Sequence, residues 1–208
     1  MGSGLDCVLS LHTPCSERMS HSPLIVGIGG TTRAGSATER CLRLALDHAQ
    51  ALGCRTLLVS GPDLPTEIYD ASHGQRSAKA AALVQALRQA DGLILGTPSY
   101  HGSLSGLMKN ALDYAEDLRQ DPRTYFQDRA VGCIVCAEGA QALGSTLVAL
   151  RSVVHALRGW PTPFGAAVHT AVRPFDADGR VTDETVRKAC ETVADEVVTF
   201  TRRWAAAG

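Results

Sequence analysis

The chain has 208 residues, 45% hydrophobic but only 5% aromatic, which suits one α/β domain with a core of Leu, Val, Ile and Ala. Its 20 basic and 21 acidic residues leave a net charge of −1, which argues against nonspecific nucleic-acid binding, because that needs a basic face. No apolar run approaches the roughly 18 residues of a membrane span, and the N-terminus lacks the basic start and apolar core of a signal peptide. The seven cysteines are odd in number and scattered through apolar segments, which suits buried thiols in a reducing cytoplasm better than a disulfide framework.

Residues 1–22 show no periodicity and are expected to form a disordered extension. Met19 is read as the natural start, with 1–18 upstream of it, and the folded domain is expected at 23–208. From Leu24 the chain alternates apolar runs with helical spacing. Strands are expected at 24–29, 55–59, 92–96, 129–136 and 165–169. Helices are expected at 36–52, 77–90, 105–118, 143–157 and 183–204. Gly53 is expected just past the end of the first helix and Asp183 as the N-cap of the last. Five strands alternating with five helices imply a parallel sheet covered on both faces. Two sheet orders fit that pattern: a dinucleotide-type Rossmann domain, or a flavodoxin-like α/β/α sandwich of order 2-1-3-4-5.

The first strand runs into Gly27-Ile28-Gly29-Gly30-Thr31-Thr32-Arg33-Ala34-Gly35-Ser36-Ala37-Thr38. This begins as Gly-x-Gly-x-x-Gly, but Thr32 stands at the third glycine and no acidic residue ends the second strand, so the dinucleotide fingerprint fails. A Walker A loop fails as well, since no Gly-Lys-Ser/Thr occurs. What remains is a set of hydroxyls, Arg33 and a helix N-terminus. That chemistry suits a terminal phosphate, through backbone N–H groups, hydroxyl donors and one charge-assisted pair. A plain glycine turn with Ser36 as an N-cap is the competing reading.

The third strand leads into Gly96-Thr97-Pro98-Ser99-Tyr100-His101-Gly102-Ser103-Leu104-Ser105-Gly106-Leu107-Met108-Lys109-Asn110-Ala111-Leu112-Asp113. Here a strand end, a donor-rich loop and a helix follow one another where open α/β sheets bind ligands. A third loop, 137–144, follows the fourth strand, and Gly139 there permits close backbone approach.

Together the first two loops resemble the NADPH-dependent FMN reductase family. Its first loop is roughly Gly-Ser-x-Arg-x-x-Ser-x-Asn, matched by residues 30–38 with Thr31 for Ser and Thr38 for Asn. Its second loop, Pro-x-Tyr-x-x-Ser-x-x-Gly-x-x-Lys-Asn-x-x-Asp, is matched throughout from Pro98 to Asp113. The resemblance implies the flavodoxin-like fold, FMN as cofactor and NADPH or NADH as co-substrate. It implies that Thr31, Arg33, Ser36 and Thr38 hold the phosphate, and that Pro98, Ser99, Tyr100, His101 and Ser103 line the ring and ribityl side. Gly139 and Ala140 are expected to approach the ring in preference to Glu138 and Gln141. A homodimer or homotetramer with the flavin near the subunit interface is implied too.

Single residues keep rival readings. Tyr100 is a ring-stacking residue or a subunit contact, and His101 is a backbone contributor or an exposed loop histidine. Lys109, Asn110 and Asp113 are read as scaffold. In Cys133-Ile134-Val135-Cys136 strand alternation sends the two sulfurs to opposite faces, so buried inert thiols are expected rather than a redox pair. The histidines form no ligand spacing, so no metal is expected. The function expected is an oxidoreductase passing hydride from NAD(P)H through FMN to a small-molecule electron acceptor such as a flavin or quinone, with no side chain as nucleophile. The alternatives are an FMN-dependent dehydrogenase of a specialised, for example chorismate-derived, metabolite, and a non-enzymatic flavodoxin-like carrier.

Overall fold

The computed structural model describes residues 22–207. The expectations for residues 1–21, including Met19 as a start, Cys7 and Cys15, lie outside the described residues. Strands β1 (Leu24–Gly29), β2 (Arg55–Val59), β3 (Gly92–Tyr100), β5 (Ala130–Ala137) and β6 (Trp160–His169) pair in parallel in the order β2-β1-β3-β5-β6. A two-residue strand, β4 (Ser103–Leu104), folds back antiparallel on β3. With that short strand set aside the order is 2-1-3-4-5, the flavodoxin-like choice of the two. β1 and β5 are buried along their whole length, as a sheet covered on both faces requires.

Among the described residues five α-helices cover the sheet: α1 (Ala37–Ala51), α2 (Ala78–Gln89), α3 (Gly106–Asp113), α4 (Ala140–Ala156) and α5 (Glu184–Ala207). α1 and α5 bury Leu42, Leu46, Val193 and Val197 on one face. α2, α3 and α4 bury Leu83, Leu87, Met108, Leu112 and Leu150 on the other. Cys133 belongs to the second core and Cys136 to the first, as strand alternation requires. Burial pushes the Cys133 thiol up to about 12. Cys41, whose Sγ lies 3.9 Å from that of Cys136, is raised well above the ordinary thiol range by hydrogen bonding to Cys136 and Cys190 and by burial. The Cys41 and Cys133 thiols therefore stay protonated, and Cys136 and Cys190 are packed in the core beside Cys41.

The helix ends follow their capping residues. Ser36 Oγ accepts from the Glu39 N–H, Gly53 follows the end of α1 at φ 86°, and Asp183 accepts from Thr185 and Val186. Several boundaries differ from expectation, and α5 runs on to Ala207, three residues past its expected end. β3 runs on to Tyr100 because a hairpin follows it, turning through His101 (φ 53°) and Gly102 (φ 81°). Two positive φ values in a two-residue loop match the twist of the flanking strands, and histidine gives little sequence warning of such a turn. The third helix is α-helical only to Asp113 and tightens into a 3-10 turn at Tyr114–Leu118. α4 begins at Ala140, three residues before the expected start. β6 begins at Trp160, five residues early, because an edge strand tolerates Pro161 and Pro163, whose missing N–H groups leave no outer neighbour unpaired.

One buried hydroxyl fixes the two loops that follow β1 and β3. Ser105 Oγ donates to the Gly30 carbonyl at 2.6 Å and accepts from the Met108 N–H at 3.1 Å, so it also caps α3. The Ser105 N–H donates to Thr97 Oγ1 at 3.0 Å, and the Gly30 N–H donates to the Gly96 carbonyl at 2.8 Å. A Cβ at Gly30 would lie 2.6 Å from Met108 Cβ, so only glycine allows this approach. Asn110, read as scaffold, is buried and holds the loop after β2: its Oδ1 accepts from the Tyr69 N–H and its Nδ2 donates to the Glu67 carbonyl. Lys109 and Asp113 form an exposed ion pair along α3.

The same loop is anchored by Arg76, whose guanidinium meets both Asp117 oxygens at 2.7 Å and lies over the Tyr69 ring. The hydrogen bond from Arg76 holds the Asp117 carboxyl below the ordinary range. A depressed folded-state value means that this stabilisation is complete above the unfolded pKa of about 4 and is lost as pH falls through the folded value. Thermal melts should therefore show a steeper fall in Tm between about pH 5 and pH 3 for the wild type than for Asp117→Asn. For Ser105→Ala, urea unfolding should report a loss of about 2–3 kcal/mol, because a helix cap is removed and the buried Gly30 carbonyl loses its donor.

Candidate functional site

The loops after β1, β3 and β5, with the turn after β6, converge on one cavity of about 600 Å³. Its walls hold Thr31, Arg33, Ser36 and Thr38 from the first loop and Pro98, Ser99 and Tyr100 from the second. Gly139 lines it from the third. Eight of the eleven expected site residues are thus brought together. His101, Ser103 and Ala140 are not on this wall: His101 is at the exposed hairpin tip, Ser103 pairs with Tyr100 in β4, and Ala140 is the exposed first residue of α4.

The first loop is arranged around the start of α1. Thr31 Oγ1 accepts from the Arg33 N–H at 3.2 Å and keeps its own O–H to donate. The Ser36 hydroxyl is in the same state, since it accepts from Glu39. The Arg33 side chain has no partner among the described residues and stands exposed at the cavity. Glu39 brings a carboxylate into the first turn of α1, yet it is committed elsewhere. It accepts from the Gly35 N–H at 3.0 Å and from Arg43 at 2.6 Å, which leaves the loop's cationic character to Arg33. First-turn N–H groups lack intrahelical partners, so Ala37 and Thr38, both on the wall, add backbone donors to the hydroxyls.

The second loop is stiff where it meets the cavity. The Ser99 hydroxyl bonds Thr146 Oγ1 at 2.7 Å, tying the end of β3 to α4. Tyr100, 59% exposed, extends from the wall towards solvent. The third loop is held by His169 Nε2, which bonds the Glu138 carbonyl at 2.5 Å. Thr32, of the first loop's hydroxyl set, and Ala137, Glu138 and Ala142, of the third loop, also line the cavity, together with Ala37, Cys136 and Thr170, which were not expected there. Thr170 has no motif around it. Only the rule that ligands sit beyond the carboxyl ends of parallel strands, applied to β6, points to it. Among the described residues no group of histidines, cysteines and carboxylates is placed to hold a metal ion.

Donors from the β1–α1 loop and flat, small or apolar groups from the β3 and β5 ends make a site for an elongated ligand with an anionic terminus. Removing one guanidinium–phosphate pair costs on the order of tenfold to a hundredfold in affinity. Inorganic phosphate should therefore compete for this site in the wild type and compete less well in Arg33→Ala, as read by titration calorimetry.

Comparison with known proteins agrees with this geometry. The family model for NADPH-dependent FMN reductase matches residues 23–172. A curated relative, the FMN-dependent NADPH-azoreductase of Staphylococcus aureus (strain USA300), is 36% identical over 113 residues, which are 53% of this chain and 56% of the relative. The match thus spans little more than half the length of that relative. Among solved structures, the flavoenzyme NAD(P)H:acceptor oxidoreductase FerB of Paracoccus denitrificans superposes with a TM-score of 0.68 at 20% identity, over 87% of this chain and 98% of that one. The NADH:FMN oxidoreductase EMOB superposes with a TM-score of 0.65 at 23% identity, over 85% and 90%. At these identities the superpositions speak for the fold, whereas the family match covers every segment that lines the cavity. The chain belongs to the NADPH-dependent FMN reductase family.

Proposed function

We propose that the chain is an FMN-dependent oxidoreductase that takes hydride from NAD(P)H and delivers two electrons to a small acceptor such as a flavin, a quinone or an azo compound. The observation that carries this reading is the convergence of residues 31–38 and 98–100 on one cavity. Its volume lies within the range of small-molecule sites, about 300–1,000 Å³. The donor set fits the cofactor: hydroxyls and one unpaired guanidinium suit a phosphate dianion, and Pro98, Tyr100, Ala137 and Ala142 suit a flat ring system.

FMN, when bound, supplies hydride and electron chemistry that no side chain on this wall provides. The residues bind and orient. Arg33 pairs with the phosphate, and the hydroxyls of Thr31, Ser36 and Thr38 donate to its oxygens. Pro98, Ser99, Tyr100 and Gly139 border the ring, with His101 and Ser103 on the hairpin that limits access to it. Ala140, at the start of α4, contributes a helix N-terminus beside that border. The Ser105 clamp and the Ser99–Thr146 bond hold both loops before ligand arrives, so little ordering is left for the binding step.

A homodimer or homotetramer belongs to the same proposal. Tyr100 and Val148 are 59% and 66% exposed and lie on neighbouring elements, which supports a subunit contact close to the cavity. A cytoplasmic setting is supported by five free cysteines, all buried, among the described residues. No helix among those residues is long and apolar enough to cross a membrane.

Two measurements test the reading. FMN and riboflavin titrations should show Arg33→Ala weakening FMN by about tenfold or more and riboflavin far less, because only FMN carries the phosphate. Equal losses would contradict the assignment of the phosphate end. The FMN-loaded protein should oxidise NADPH or NADH steadily when a quinone is supplied. Absence of turnover with both, in protein that holds FMN, would remove the reductase reading.

A further inference from the structure

Beside the main cavity lies a second one of about 450 Å³, sharing Arg33, Ala37, Glu138 and Thr170 with it. Its own wall adds Arg40 from α1, and Arg173 and Phe175 from the segment after β6. Three guanidiniums and one carboxylate therefore face a pocket continuous with the phosphate-type loop. Some arginines elsewhere are matched with carboxylates, as in Arg43–Glu39 and Arg76–Asp117, and others, such as Arg129 and Arg151, with backbone carbonyls. The Arg33 and Arg173 side chains have no such partner among the described residues. Arg40 is held in place by the Asp176 carbonyl at 3.4 Å and by the Phe175 ring, 5.6 Å from its guanidinium carbon. Arg173 sits in the left-handed region at φ 53° and ψ 63°, with its N–H donating to the Thr170 carbonyl at 3.0 Å. A non-glycine residue in that conformation carries strain that a bound ligand can justify.

We infer that this pocket is a second phosphate subsite, which receives the phosphate-bearing adenosine half of a dinucleotide whose other half lies in the main cavity. The inference rests on the flavin reading above. Unpaired guanidiniums are the preferred partners of phosphate oxygens. Phe175, packed against the core, steadies Arg40, whose planar guanidinium can stack on a base. Two dinucleotides present this chemistry: the adenylate half of FAD and the 2′-phosphate end of NADPH.

The test titrates the full chain, wild type and Arg173→Gly, with FMN, FAD and adenosine 2′,5′-bisphosphate. Glycine suits the left-handed backbone at this position, so the variant removes the guanidinium without disturbing the turn. The expected result is a Kd for FAD or for the bisphosphate about tenfold weaker in the variant, with a much smaller change for FMN. A loss on FAD alone assigns the pocket to the flavin dinucleotide, and a loss on the bisphosphate alone assigns it to NADPH. Unchanged values for both, or equal shifts for all three ligands, would overturn the inference. Absence of saturable FMN binding would instead remove the flavin reading, and the bisphosphate arm would still decide the pocket.

Discussion

The hydrogen bond from Ser105 Oγ to the Gly30 carbonyl, 2.6 Å long and buried, is the contact on which the site depends. It joins the loop after β1 to the loop after β3, and the same oxygen caps α3. Two loops from different strands are thereby held at one separation by an atom that is not on the cavity wall. Such a buried bond contributes about 1 kcal/mol net, but leaving its acceptor unpaired costs more, so the junction has little freedom to open. Gly30 is part of the same constraint, because any Cβ there would overlap Met108.

A site built this way has a particular chemical character. The loops present backbone N–H groups, hydroxyls and one guanidinium, while the carboxylate nearest the first loop, Glu39, is turned away and paired with Arg43. Nothing in that set is a nucleophile or a tuned acid. The cysteines close by are not reactive either: Cys136 reaches the cavity wall but is packed against Cys41, whose thiol is held well above its ordinary range. On the proposed reading the protein contributes affinity, position and charge, and the reaction belongs to the cofactor it binds. The second subsite proposed at the adjoining pocket extends the same logic from one phosphate to two.

Much of this was legible in the sequence because it rests on local signals. Apolar runs bounded by glycine marked β1 and β2 to the residue, and Ser36, Gly53 and Asp183 marked helix ends through capping chemistry. The hydroxyl, glycine and arginine cluster at 30–38 pointed to an anion without knowledge of the fold. What could not be read needed partners distant in the chain. Ser105 is one of three serines in its loop, and only its packing against Gly30 singles it out. Thr170 reaches the cavity because β6 lies beyond β3 and β5 with its carboxyl end at the same edge of the sheet, a fact of sheet order. Arg40 and Arg173 have no shared motif and meet only through the turn after β6. The His101–Gly102 hairpin was hidden because histidine seldom occupies such a position, and β6 was shortened because its prolines read as a break.

Residues 30–38 and 98–103 are proposed as the two ends of one mononucleotide site. Amide hydrogen exchange of the full chain, with and without saturating FMN, tests it most directly. Slower exchange is expected in both segments together with FMN, and with riboflavin a persistent effect at 98–103 but a weaker one at 30–38. Slowing confined to one segment with FMN, or the same pattern with both ligands, would contradict it.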